Sequence, residues 1–140
     1  VSARQLFVDT SAFYAALDRG DVDHARATTV LSSGDRLVTT DHVLVESWRL
    51  ARKRLGRHVA ERFWGSLRGG HAVVESVLPT DFDTAWRIGE SFPDQDFSIV
   101  DRTSFAVMER LGIDRVATFD DHFSIYRYGP RRDRAFDVRR

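Results

Sequence analysis

Residues 6–17 read Leu6-Phe7-Val8-Asp9-Thr10-Ser11-Ala12-Phe13-Tyr14-Ala15-Ala16-Leu17, and this stretch decides the fold class. Leu6, Phe7 and Val8 form a short apolar run of strand type that stops at Asp9, while residues 11–17 carry helical spacing. The acid therefore marks a strand-to-helix turn. Outward from it the alternation recurs, with a helix expected over residues 22–31, ended by Ser33-Gly34, and a strand at Leu37-Val38-Thr39. Asp41 can cap a helix in which Leu44, Trp48, Ala51 and Leu55 step by four, three and four until Gly56 stops it. Val59, Phe63 and Leu67 continue the spacing to Gly69-Gly70. Residues 41–68 are thus expected to form a helical hairpin with one apolar seam and arginines outside.

Further on, Val73-Val74 and Val77-Leu78 read as extended, and Thr80-Asp81-Phe82-Asp83 has capping-box form before a helix that Pro93 breaks. Ser98-Ile99-Val100-Asp101 opens a helix running to Leu111-Gly112, residues 115–119 read as a strand with Asp120 at its end, and a last extended piece falls at 136–138. Strands alternating with helices across short connections predict an α/β sandwich around a mostly parallel sheet. No repeat, low-complexity tract or linker interrupts it, so one domain over residues 1–140 is expected. Ligands of such sheets sit beyond the carboxyl ends of the strands, where Asp9 and Asp120 can share a crevice.

The chain has 140 residues and no cysteine, which excludes disulfides, thiolate metal sites and a thiol nucleophile and suits the cytoplasm. No apolar run reaches the roughly 20 residues of a membrane helix, and Val1 to Gln5 give no basic-then-apolar leader. Lys+Arg and Asp+Glu cancel at 21 each, so net charge predicts no partner. Its distribution does. Arg49, Arg52, Lys53, Arg54, Arg57, Arg62 and Arg68 face a single acid, Glu61, and a second basic block runs from Arg127 to Arg140, of which Arg131 to Arg140 reads as a flexible phosphate-binding tail.

Four carboxylates stand behind apolar or β-branched neighbours where the pattern asks for none: Asp9, Glu46, Asp101 and Asp120. Gathering them in a half-buried cleft is unfavourable unless protons or cations compensate, and oxygen ligands select hard ions such as Mg²⁺ or Mn²⁺. Such an ion activates a water and neutralises phosphate charge, so phosphodiester hydrolysis is the natural reaction. Each acid also has a plainer reading: Asp9 as a helix cap, Asp101 as the fourth position of a capping box, Glu46 as a solvated helical acid, Asp120 or Asp121 as a turn residue. The five histidines show no metal-ligand spacing; His122 alone lies near the acids and reads as a bystander.

The strings Phe7-Val8-Asp9-Thr10-Ser11-Ala12, Phe97-Ser98-Ile99-Val100-Asp101-Arg102-Thr103-Ser104-Phe105-Ala106-Val107-Met108 and Ala117-Thr118-Phe119-Asp120-Asp121-His122-Phe123 together resemble the PIN-domain nucleases, most closely VapC-type toxins of toxin–antitoxin modules. The resemblance runs nearly the whole chain in order. It implies a three-layer α/β/α sandwich and a Mg²⁺- or Mn²⁺-dependent endoribonuclease that cuts structured RNA needed for translation, tRNA or rRNA. By motif, Asp9, Glu46, Asp101 and Asp120 match the family's acidic quartet, Ser11 and Thr118 its supporting hydroxyls, and Asp96 an accessory acid. It further implies a homodimer and a cognate VapB-type antitoxin, for which Leu44, Trp48, Leu55 and Trp64 resemble the gripping groove.

Holding RNA around acids needs cations, and Arg49, Arg52, Arg54 and Arg57 are the candidates. Three rivals stay in view. An aspartyl-phosphate phosphotransferase needs a lysine near the phosphate, and Lys53 is the sole lysine, on the hairpin's outer side. A non-catalytic binding module would use the acids as caps only. An RNA-processing nuclease would work without an antitoxin.

Overall fold

A computed structural model of the chain describes residues 4–140; Val1, Ser2 and Ala3, part of the stretch read for a leader, lie outside the described residues. The elements run β1 (Gln5–Val8), α1 (Thr10–Leu17), α2 (His24–Leu31), β2 (Arg36–Thr40), α3 (Asp41–Leu55), α4 (Arg57–Arg68), β3 (Val73–Glu75), α5 (Pro79–Ser91), α6 (Ile99–Leu111), β4 (Arg115–Ala117), α7 (His122–Ile125) and β5 (Asp137–Arg139). All pairings in the five-stranded sheet are parallel, in the order β3-β2-β1-β4-β5. Leu6 lies opposite Leu37, Phe7 opposite Val116 and Val116 opposite Val138.

Leu6, Phe7 and Val8 are all fully buried although consecutive side chains point to opposite faces. Both faces of the sheet must therefore be covered by helices, which explains why the central strand is apolar throughout rather than alternating. Helices α1 to α4 pack against one another, and α5, α6 and α7 form a second group. This is the expected α/β/α sandwich. An aromatic cluster fills the side beneath β4 and β5, with Phe105 stacked on Tyr126 at 4.4 Å and edge-on to Phe123 and Phe97. The order reverses beside β1: the chain moves outward through β2 and β3, then returns to place β4 on the other flank. That reversal opens a crevice at the carboxyl ends of β1 and β4.

Several local expectations shift. Thr40, not Asp41, caps α3: its hydroxyl accepts from the Val43 amide at 3.1 Å, while Asp41 occupies the first turn and accepts from the Val77 amide. Helix α5 begins at Pro79, whose missing N–H costs nothing there, and Asp81 rather than Asp83 closes the box by accepting from the Leu78 amide. Of the segment read as extended, only Val73–Glu75 pairs as a strand, and Leu78, with φ −91° and ψ 159°, is extended outside the sheet. The residues after Arg127 are no loose tail: Tyr128 and Arg134 form a bridge and β5 pairs with β4. The hairpin α3–α4 is as expected, Gly56 turning it with φ 98°, a value that glycine alone adopts cheaply. Among the described residues no helix is long and apolar enough to cross a membrane.

Candidate active site

Asp9 leaves β1 with its amide bonded to the Ala117 carbonyl of β4, so main-chain pairing itself carries its side chain to the crevice. It occupies the N-cap position of α1 yet makes no side-chain cap bond, and the plain capping reading of this acid fails. Its Oδ2 instead accepts from Thr118 Oγ1 at 2.9 Å and from Ser11 Oγ at 3.1 Å. Each hydroxyl is aimed by a backbone amide: Phe119 N–H donates to Ser11 Oγ and Asp120 N–H to Thr118 Oγ1. Burial pushes the Asp9 carboxyl up to about 7; the Thr118 hydroxyl and the Thr10 amide pull it down, and the Asp101 and Asp120 charges add to the rise.

Asp101 serves two ends at once. Its Oδ2 accepts the Ser98 amide at 3.0 Å while Ser98 Oγ accepts the Asp101 amide, a complete capping box for α6, and the same oxygen meets His122 Nδ1 at 2.7 Å. Asp120 follows β4; its Oδ1 accepts the His122 amide at 2.8 Å and lies 3.4 Å from His122 Nδ1. His122 is thus no bystander. The first turn of α7 places its ring between two carboxylates, and although burial lowers its pKa, the Asp101 hydrogen bond and the charges of Asp120, Asp101 and Asp96 carry it above the ordinary value. Local spacing gave no sign of this, because the partners lie 21 residues apart in the case of Asp101.

Ligand atoms of Asp101, Asp120 and His122 all fall within 4.8 Å of one another. Asp9 sits close enough to feel both acids. A divalent ion fits this donor set: hard oxygens with one imidazole, and a buried carboxylate that desolvation leaves half protonated near neutrality until a cation compensates it. Glu46 is placed differently. It lies on α3 along a cavity of about 510 Å³ with His42, Val45, Arg49 and Val100, next in sequence to Asp101 but outside the ligand group. Asp96 is exposed and near His122.

The cationic candidates divide. Arg49 lines the Glu46 cavity, and Arg49, Arg52 and Arg57 line a second one together with Trp48 and Lys53, the lysine that sequence reading set aside. Arg54 points elsewhere, its guanidinium 5.3 Å from the centre of the Tyr14 ring. The candidate antitoxin residues do not make one groove: Leu44 and Trp64 line an apolar cavity with Val74, whereas Trp48 donates to Glu61 at 3.4 Å and lines the arginine cavity. Leu55 lines neither.

A parallel sheet with carboxylates from β1, α6 and β4 pooled at its switch point defines the class: an α/β protein built around an acidic crevice. The chain belongs to the PIN-domain family, whose model matches residues 6–127, and within it to the VapC type. The 23S rRNA-specific endonuclease VapC20 of Mycobacterium tuberculosis is 39% identical over 122 residues, 85% of this chain and 92% of the relative. Ribonuclease VapC26 of the same organism is 29% identical over 124 residues, 87% and 92% of the two chains. The crystal structure of VapC20, described as a sarcin–ricin loop cleaving toxin, matches with a TM-score of 0.81 and 33% identity over 86% of this chain and 93% of that one.

Proposed function

We propose that this protein is a metal-dependent endoribonuclease toxin that cuts structured RNA of the translation machinery and is neutralised by a VapB-type antitoxin. The observation that carries the reading is the Asp9, Asp101, Asp120 and His122 cluster at the sheet's switch point. Likeness to a 23S rRNA endonuclease over most of both chains makes rRNA the substrate to test first. Cytoplasmic action follows from that substrate. A homodimer belongs to the same reading, supported by Phe82, Trp86 and Ile99, large apolar side chains that a lone chain leaves in water. The chain acts as one domain over residues 1–140.

Asp9, Asp101 and Asp120, with Glu46, would hold Mg²⁺ or Mn²⁺, directly or through water. Bound there, such an ion would supply Lewis acidity toward a phosphate oxygen and activate the attacking water. The chain's own part is preorganisation: Ser11 and Thr118 pin one oxygen of Asp9, and the capping box pins Asp101 before any ligand arrives. His122 Nδ1, 2.7 Å from Asp101 Oδ2, holds that carboxylate in place from the other side. Arg49 and its neighbours on α3 take backbone phosphates beside the acids.

Purified antitoxin-free protein, incubated with ribosomes and with total RNA in Mg²⁺ or Mn²⁺, tests this by mapping of new 5′ ends. Discrete cuts in 23S rRNA are expected. Ends that form equally in chelator, or no ends with either ion, would overturn it.

A further inference from the structure

A cavity of about 300 Å³ opens between α5, α6 and the loop that follows α7, lined among others by Arg87, Arg127, Arg132, Phe92, Tyr128 and Glu109. Among the described residues none of these three arginines is in an ion pair. Neutral groups hold them instead: Arg87 donates to Thr84 Oγ1 at 3.3 Å, Arg132 to Ser91 Oγ at 2.8 Å, and Arg127 to the carbonyls of Ser124, Ile125 and Tyr126. The one carboxylate in the lining, Glu109, accepts from the Tyr126 hydroxyl at 2.8 Å. Three arginines thus line the hollow against one carboxylate, and none of them pairs with it. Arg132 is also the only non-glycine described residue with a left-handed backbone, φ 51°, a conformation most side chains avoid.

Part of the remaining wall is aromatic. Phe92 carries the Arg132 guanidinium 5.8 Å from its centre, and Tyr128 stacks on Phe136 at 4.8 Å. Forked donors bind phosphate by paired N–H bonds, and rigid ring faces take an unstacked base, so the combination suits a nucleotide. An acidic peptide would satisfy the charges and leave the ring faces unused. Two ring contacts connect the cavity to the acids. His122 opens α7 and Arg127 lies just past its end, while Phe92 contacts Phe97 at 5.7 Å and Phe97 contacts His122 at 5.2 Å.

We propose that this cavity is a second contact for the RNA substrate, taking one nucleotide of the strand outside the scissile bond with guanidiniums on its phosphate and a ring face on its base. It rests on the ribonuclease reading above. It gives the α5–α7 side a grip on RNA that is separate from the arginines of α3, so the strand is held on both flanks of the acids.

The test is RNA binding in chelator, where cleavage cannot interfere, with a fluorescein-labelled sarcin–ricin stem-loop read by anisotropy across a salt series. Wild type, the double variant Arg87→Gln/Arg132→Gln, and Arg62→Gln on exposed α4 as a control are compared after thermal melts show all three folded. The double variant is expected to lose about 1 from the slope of log K against log salt and about tenfold or more in affinity, since each phosphate no longer neutralised removes about 1 from the slope. In Mn²⁺ its KM rises with kcat kept. Wild type that cuts RNA while the double variant keeps its slope overturns this proposal alone. So does an equal loss in Arg62→Gln, or displacement of RNA by poly-glutamate as readily as by poly-uridylate. Wild type that neither binds nor cuts RNA in any metal overturns the ribonuclease reading, and this proposal with it.

Discussion

Replacing Asp9 by Asn should make the metal-free protein more stable at neutral pH while abolishing its activity. Asp9 has an ordinary value of 3.8 and is pushed up to about 7 in the fold by burial, so between those values the native state binds a proton that the unfolded chain releases. Stability is therefore complete below about pH 3.8 and falls as pH rises through the window to about 7. At 1.36 kcal/mol per pH unit the loss amounts to about 4 kcal/mol, an upper figure because the site relaxes and admits water. Asn resembles the protonated acid and still accepts from Ser11 and Thr118 through its carbonyl oxygen. Urea unfolding in chelator at pH 5 and pH 8 measures it: the advantage of Asp9→Asn over wild type should widen with pH by a few kcal/mol. Saturating Mg²⁺ should then restore wild type by about 2.7 kcal/mol at a hundred times its Kd and leave the variant unmoved. A stability difference that stays flat from pH 5 to pH 8 would refute the reasoning.

Asp101→Asn keeps an acceptor for the Ser98 amide, so it should destabilise the fold by about 1 kcal/mol or less. It should also let the His122 pKa fall, as seen by NMR titration of the ring, because the hydrogen bond that overcomes burial there is lost. Thr118→Val removes the largest influence that lowers the Asp9 pKa, and the low-pH limb of the cleavage profile should move to higher pH. Arg110→Ala strands Asp81, which is 2% exposed and takes two guanidinium bonds at 3.0 and 2.9 Å; unfolding should show a loss of about 1–3 kcal/mol. Burial raises the Asp81 pKa, but Arg110 and the Leu78 amide outweigh it and hold the carboxyl below its ordinary value. That part of wild-type stability is present above pH 3.8 and lost as pH falls through the folded value, so the difference between wild type and Arg110→Ala should shrink in acid.

The parts of the fold that were readable in the chain are those where several local signals agree. The run Leu6-Phe7-Val8, the four-three-four spacing from Leu44 to Leu55 with Gly56 after it, and Ser98 with Asp101 before α6 each combine period and punctuation. Boundaries slipped where two caps compete, as at Thr40 and Asp41, or where Pro79 starts a helix that Thr80 suggested one residue later. Helix α7 is four residues long, too short to show a period. In the site, Asp9, Asp101 and Asp120 were legible as acids behind apolar runs. His122 was not, because its role depends on α6 and β4 meeting in space. Glu46 shows the converse limit: a motif match fixed its residue type, while the turn of α3 sets it along a neighbouring cavity.

The central claim, that the three carboxylates hold the ion that cuts RNA, is tested most directly by one Mn²⁺ titration. Free ion is followed by electron paramagnetic resonance while the same sample digests labelled RNA. Wild type should bind Mn²⁺ saturably, with cleavage rising in step, and Asp101→Asn should lose both while melting within about 5 °C of wild type. Cleavage that persists in Asp101→Asn, or Mn²⁺ binding that this substitution leaves unchanged, would contradict the account.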